Sequence, residues 1–168
     1  MVIVGWFKEF EERGINAFYA DATLYISNEQ DDEKDMLDDI VHEIAHSLEG
    51  AYGYEIYGDQ LLKKEFLNKR QKLWEILWAH GYKTQESFFA DIEYSEEFDS
   101  FLLNTVGYDK LSFLMQGLFL SPYSATSLRE YFASGFTEFF IESEYKFFKD
   151  MCPVLYNKIF LLKSENIA

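Results

Sequence analysis

The chain has 168 residues and a formal charge of −15. That is enough for one domain with a real core, and too acidic to displace counterions from phosphate, which argues against a nucleic-acid partner. With 48% hydrophobic residues, 17 Phe and 12 Tyr, the 30 acidic residues do not make it a disordered chain. The lone Cys152 excludes an internal disulfide and fits a reducing compartment.

No apolar run reaches the roughly 18 residues of a membrane span. The opening Met1-Val2-Ile3-Val4-Gly5-Trp6 has no basic stretch ahead of it and is followed by Lys8 and Glu9, so it does not read as a signal peptide. The expectation is a cytoplasmic protein with no membrane partner. There is no Pro-, Gly- or Ser-rich linker, and the two prolines are Pro122 and Pro153. One domain over residues 1–168 is expected.

In chain order, residues 7–13 predict a short helix ended by Gly14. Ala17-Phe18-Tyr19 and Thr23-Leu24-Tyr25-Ile26 read as strands, being short and aromatic or β-branched, with Asn28 as the stop. The second strand directly precedes the next helix, and an exposed edge there could hold an extended peptide by backbone pairing. The acidic run Asp31-Asp32-Glu33 suits a helix N-terminus. Met36, Leu37, Ile40, Val41, Ile44, Ala45 and Leu48 then recur at helical spacing, with Gly50 near the end.

A third helix is predicted from about Gln60 to Ala79, anchored by Leu62, Phe66, Leu73 and Leu77, with Gly81 as its C′ residue. Its basic positions Lys63, Lys64, Lys69, Arg70 and Lys72 alternate with apolar ones and read as a wet face. Shorter helices follow at 84–91, 96–104 and 108–117, then a long one over 128–147 and a last one from Pro153. The predicted class is α+β, mostly helical with a small N-terminal sheet.

The second helix carries His42-Glu43-Ile44-Ala45-His46. Positions i and i+4 share a helix face, so both imidazoles can reach one metal ion while Glu43 holds a bound water. A catalytic zinc takes three protein ligands and keeps a position open for water. His80, before Gly81, is placed to interact with a helix C-terminus rather than a metal. A third histidine at the short metzincin spacing is excluded by Glu49 and Tyr52.

The third ligand is therefore expected to be a carboxylate. Glu86-Ser87-Phe88-Phe89-Ala90 and Glu130-Tyr131-Phe132-Ala133 compete, and Glu130 is preferred because an apolar-faced helix with Phe132, Phe136, Phe139 and Phe140 follows it. A purely structural role for Glu130 is also available, since Ser127-Leu128-Arg129-Glu130 is a capping box. Glu49 lies one turn beyond His46 and suits support of the ligands.

His42-Glu43-Ile44-Ala45-His46 together with Tyr123-Ser124-Ala125-Thr126-Ser127-Leu128-Arg129-Glu130-Tyr131-Phe132-Ala133 resembles the catalytic domain of the anthrax lethal factor-like metalloproteases, a family that includes the Pro-Pro endopeptidases. The resemblance spans about residues 15–165 and takes in Lys149-Asp150-Met151-Cys152-Pro153-Val154-Leu155-Tyr156, which looks like the family's closing helix. It implies a gluzincin-like fold with Zn2+ on His42, His46 and Glu130, Glu43 as general base, and Tyr123 facing the oxyanion of a peptide or protein substrate. The separation of His46 from Glu130 is longer than is usual in that family, which implies an inserted helical lobe at about 55–120. Ser134 stands where lethal factor has a carboxylate supporting the ligand shell. The resulting expectation is a zinc-dependent endopeptidase. The alternative is an inactive zinc-binding structural or interaction protein that keeps the protease fold.

Overall fold

The structure is a computed structural model that describes residues 1–30, 32–141 and 145–165, without the side chains of Arg13 and Glu165. It is mostly helical with one three-stranded sheet, an α+β chain. It divides into two compact units, residues 1–53 and 54–168.

The first unit holds the sheet. Strands β1 (Val2–Gly5), β2 (Ala17–Ala20) and β3 (Thr23–Ser27) lie in the order β1-β3-β2. β2 and β3 form a tight hairpin whose turn residues, Asp21 and Ala22, have φ of 50° and 57°. Positive φ at both positions matches the right-handed twist of the strands. β1 pairs with β3 in parallel, Ile3 opposite Tyr25, and was not anticipated from its sequence. It also corrects the expectation of an open edge on the strand just before the next helix, because β3 is paired on both sides and any edge in this sheet belongs to β1 or β2.

Helix α1 (Lys8–Arg13) ends as expected at Gly14, φ 63°. Phe7 and Phe10 flank its start and pack on Tyr25 and Phe18 at ring-centroid distances of 5.1 and 5.5 Å. Edge-on geometry of this kind adds to the area buried. Helix α2 (Glu33–Tyr57) is capped by Asp32, whose Oδ1 accepts the amides of Lys34 and Asp35 at 2.7 and 2.9 Å. It runs past Gly50 and departs from helical geometry at Tyr52, φ −116°.

The second unit is built on α3 (Leu61–Ala79), with Leu62, Phe66, Leu73 and Leu77 fully buried. Gly81, at φ 92°, follows its end as expected. Next come α4 (Ser87–Ala90), α5 (Glu96–Ser100), a π-helical turn (Phe101–Val106) and α6 (Tyr108–Leu114). A 3-10 turn (Tyr123–Ala125) leads to α7 (Leu128–Ile141), α8 (Tyr145–Met151) and α9 (Pro153–Glu165). The long helix expected over 128–147 is thus described only to Ile141 and again from Tyr145, with residues 142–144 outside the described residues. Residues 55–120 belong to the same compact unit as α7 to α9.

Two residues of α3 correct the reading of its basic run as a wet face: Lys69 is 7% exposed and Arg70 1%. Lys69 Nζ donates to the carbonyls of Leu118 and Met151 at 2.6 and 2.8 Å. Glu65, one turn earlier, accepts the Tyr131 hydroxyl at 2.9 Å and the amides of Val154 and Leu155 at 2.8 and 3.1 Å. A carboxylate on the first amides of α9 answers both their unmet donors and the helix dipole. Close approach of α7 and α9 depends on Gly135, where a Cβ would lie 2.3 Å from the Leu155 side chain. Cys152 is buried and free. Among the described residues no helix is long and apolar enough to cross a membrane.

Candidate metal centre

In the first unit, α2 presents His42 and His46 one turn apart, with ring centroids 5.0 Å from each other and ring planes at 77°. The helix itself produces this spacing, and the fully buried Ala45 anchors the turn between them. His42, Glu43 and His46 are all partly buried. Glu49 lies beside His46, with Oε2 3.8 Å from Nδ1, the position expected of a supporting carboxylate. Asp39, one turn before Glu43, was not singled out from the sequence. Burial, together with Asp35 and Asp38, holds its carboxyl above the usual range, while His42 pulls the other way. No motif marks that residue, since acidic positions are common along this helix.

In the second unit the site is assembled from a loop. Ser121 and Ser124 hold each other through reciprocal amide-to-hydroxyl bonds of 3.1 Å. The Thr126 hydroxyl donates to the Tyr123 carbonyl at 2.7 Å. Ser127 Oγ then accepts the Glu130 amide at 3.1 Å, the N-cap half of the capping box read from the sequence. The Leu128 amide donates to the Ile92 carbonyl at 2.8 Å, tying the start of α7 to the segment after α4. Glu130 thus stands in the first turn of a helix whose entry is held by the Ser127 cap and the Leu128–Ile92 bond. Tyr123 is 39% exposed.

That link to Ile92 brings in a group which the sequence did not flag. Asp99 accepts the hydroxyls of Tyr94 and Tyr108 at 2.9 and 2.6 Å. Burial and then Asp99 push the Tyr94 hydroxyl up to about 12, with Glu130 adding to the effect. The Tyr108 hydroxyl is pushed up further by the same two causes, with Tyr123 contributing. Both phenols therefore stay protonated donors at neutral pH. Without the backbone path from Ile92 to Leu128, nothing in their spacing links them to Glu130.

One ligand atom from each of His42, His46 and Glu130 lies within 4.8 Å of the other two, the one such group among the described residues. Two imidazoles and a carboxylate are a donor set that zinc accepts, with a coordination position to spare. The competing candidates lie elsewhere. His80 is exposed at the end of α3 with Nδ1 2.8 Å from the Ile76 carbonyl. Glu86 is exposed and lines a shallow groove with Trp74, Trp78 and Lys83. Comparisons with protein-family models, with curated proteins and with solved structures find no match for this chain.

Proposed function

We propose that the chain is a zinc-dependent endopeptidase of the lethal factor-like type, with His42, His46 and Glu130 as metal ligands. The observation that carries the reading is the grouping of those three donor atoms around a helix that also bears Glu43. A structural zinc site fills its fourth position with protein and has no use for a neighbouring carboxylate, so a three-ligand set with Glu43 beside it favours catalysis.

His42, His46 and Glu130 would hold a zinc ion, which would supply Lewis acidity to a water and to a substrate carbonyl. Glu43 takes the proton of the attacking water at its carboxylate and passes it to the leaving nitrogen, acting first as base and then as acid. Tyr123 donates its hydroxyl proton as a hydrogen bond to the oxygen on which negative charge develops, a contact stronger in the transition state than in the bound substrate. Glu49, 3.8 Å from His46 Nδ1, adds negative charge beside the ring. The substrate is a peptide or protein.

The test is Glu43→Gln beside the unaltered chain, with zinc content and hydrolysis of a fluorogenic peptide library measured on both. The variant is expected to keep its zinc and lose ~10²- to 10⁴-fold in turnover. Comparable hydrolysis by both proteins would reject Glu43 as the base. An unaltered chain that binds zinc and cleaves nothing would point instead to the structural role.

A further inference from the structure

The buried guanidinium of Arg70 has an unusual set of partners. Its Nη1 donates to the carbonyls of Ala125 and Thr126 at 2.9 and 3.1 Å, and its Nη2 donates to the carbonyl of Phe88. Its Cζ lies 4.0 Å from the Phe98 ring centroid, with the rings of Phe66 and Phe89 at 5.4 and 5.6 Å. Nε has no hydrogen-bond partner among the described residues. Burial draws the group down to about 9, with Asp91 opposing.

A cation in such surroundings is a poor way to gain stability. Even a complete buried ion pair is often replaced by apolar side chains of similar volume at no net loss, because desolvation offsets the attraction. What the guanidinium provides instead is a planar fork that fixes several acceptors at once. Ala125 ends the turn that carries Tyr123, and Thr126 precedes Ser127, the cap of the helix that carries Glu130. Phe88 belongs to α4, and Ile92 just beyond it takes the Leu128 amide. Arg70 therefore bonds to the middle of the Tyr123–Glu130 segment and to the stretch on which that segment's helix begins.

We infer that Arg70 is a positioning residue for the metal centre, holding the Ala125 and Thr126 carbonyls so that Glu130 and Tyr123 keep a fixed spacing. The inference rests on the zinc reading above. Lysine offers a point charge on a flexible stem and cannot hold three carbonyls in one plane while lying against Phe98. Methionine fills similar space and holds none.

The experiment compares the unaltered full chain with Arg70→Lys and Arg70→Met, using zinc affinity by chelator competition well below each melting temperature, followed by kcat and KM. Both variants are expected to fold cooperatively. Zinc affinity should fall ~10- to 100-fold, the range seen when groups behind metal ligands are lost, with methionine the weaker binder. The loss in turnover should appear in kcat with KM little changed. A folded variant that binds zinc as tightly as the unaltered chain with the same kcat would overturn the assignment. Failure of both to fold would also overturn it, making Arg70 a stability residue. An unaltered chain that binds no zinc removes the metal reading itself, which separates that failure from the failure of Arg70 as a positioning residue.

Discussion

His42 and His46 are brought together by one turn of one helix, whereas the segment from Tyr123 to Glu130 is bonded at Ala125, Thr126 and Leu128 by partners far away in the chain. The first arrangement is local: once α2 forms, the imidazoles face the same way, and little in the rest of the fold is needed to set their spacing. The second depends on Arg70 reaching Ala125 and Thr126 from α3, on Ile92 receiving the Leu128 amide, and on Ser127 capping α7. On the zinc reading proposed above, the histidine pair should resist substitution elsewhere in the chain and the Glu130 segment should feel it. Damage around α3 should therefore be felt at Glu130 and Tyr123.

The largest contrast is expected from Tyr123→Phe, which keeps the ring and removes only the donor. Turnover should fall ~10²- to 10³-fold, as for loss of an oxyanion donor, with zinc content and melting temperature unchanged. Turnover like that of the unaltered chain would reduce Tyr123 to packing. Gly135→Val comes next. Its branched side chain would enter the space of Leu155, which is fully buried and lies 2.3 Å from the position of a Cβ. Overpacking of this kind costs about 1–3 kcal/mol, more than any helix propensity gained over glycine. Thermal unfolding should show that loss, and an unchanged melting temperature would mean that α7 and α9 can separate freely.

The smallest effects come from the two helix caps, one remote from the candidate ligands and one on the amide of Glu130 itself. Asp32→Ala and Ser127→Ala each remove a cap worth about 1 kcal/mol. Asp32 serves amides more than a turn before His42, so its loss should lower stability and leave zinc affinity alone. Ser127 receives the Glu130 amide itself, so its loss should lower both. Equal zinc affinities in the two variants would contradict a dependence of Glu130 on the cap of its own helix.

The same distinction explains what could be read from the chain before its fold was known. The helix that carries His42 and His46, the Gly14 stop, the Gly81 end of α3 and the strands β2 and β3 all depend on neighbours within a few positions, and each is present. β1 was missed because a four-residue strand pairing in parallel with Thr23–Ser27 leaves no turn signal beside it. The end of α2 was set too early because Gly50 and Gly53 sit inside a helix that passes through them, with the irregularity at Tyr52 between. Charge patterning places Lys69 and Arg70 at the surface because it cannot show backbone carbonyls arriving from Leu118, Ala125, Thr126 and Met151. The Tyr94–Asp99–Tyr108 group was invisible for the same reason: it is joined to the start of α7 by a backbone bond from Ile92 to Leu128.

The most direct test is the zinc content of the purified chain beside Glu130→Gln, by metal mass spectrometry after equilibration with a weak chelator. One zinc per unaltered chain, with most of it lost from the variant, is the predicted result. Equal retention by both proteins would contradict Glu130 as a ligand, and absence of zinc from the unaltered chain, even after reconstitution, would contradict the metal centre.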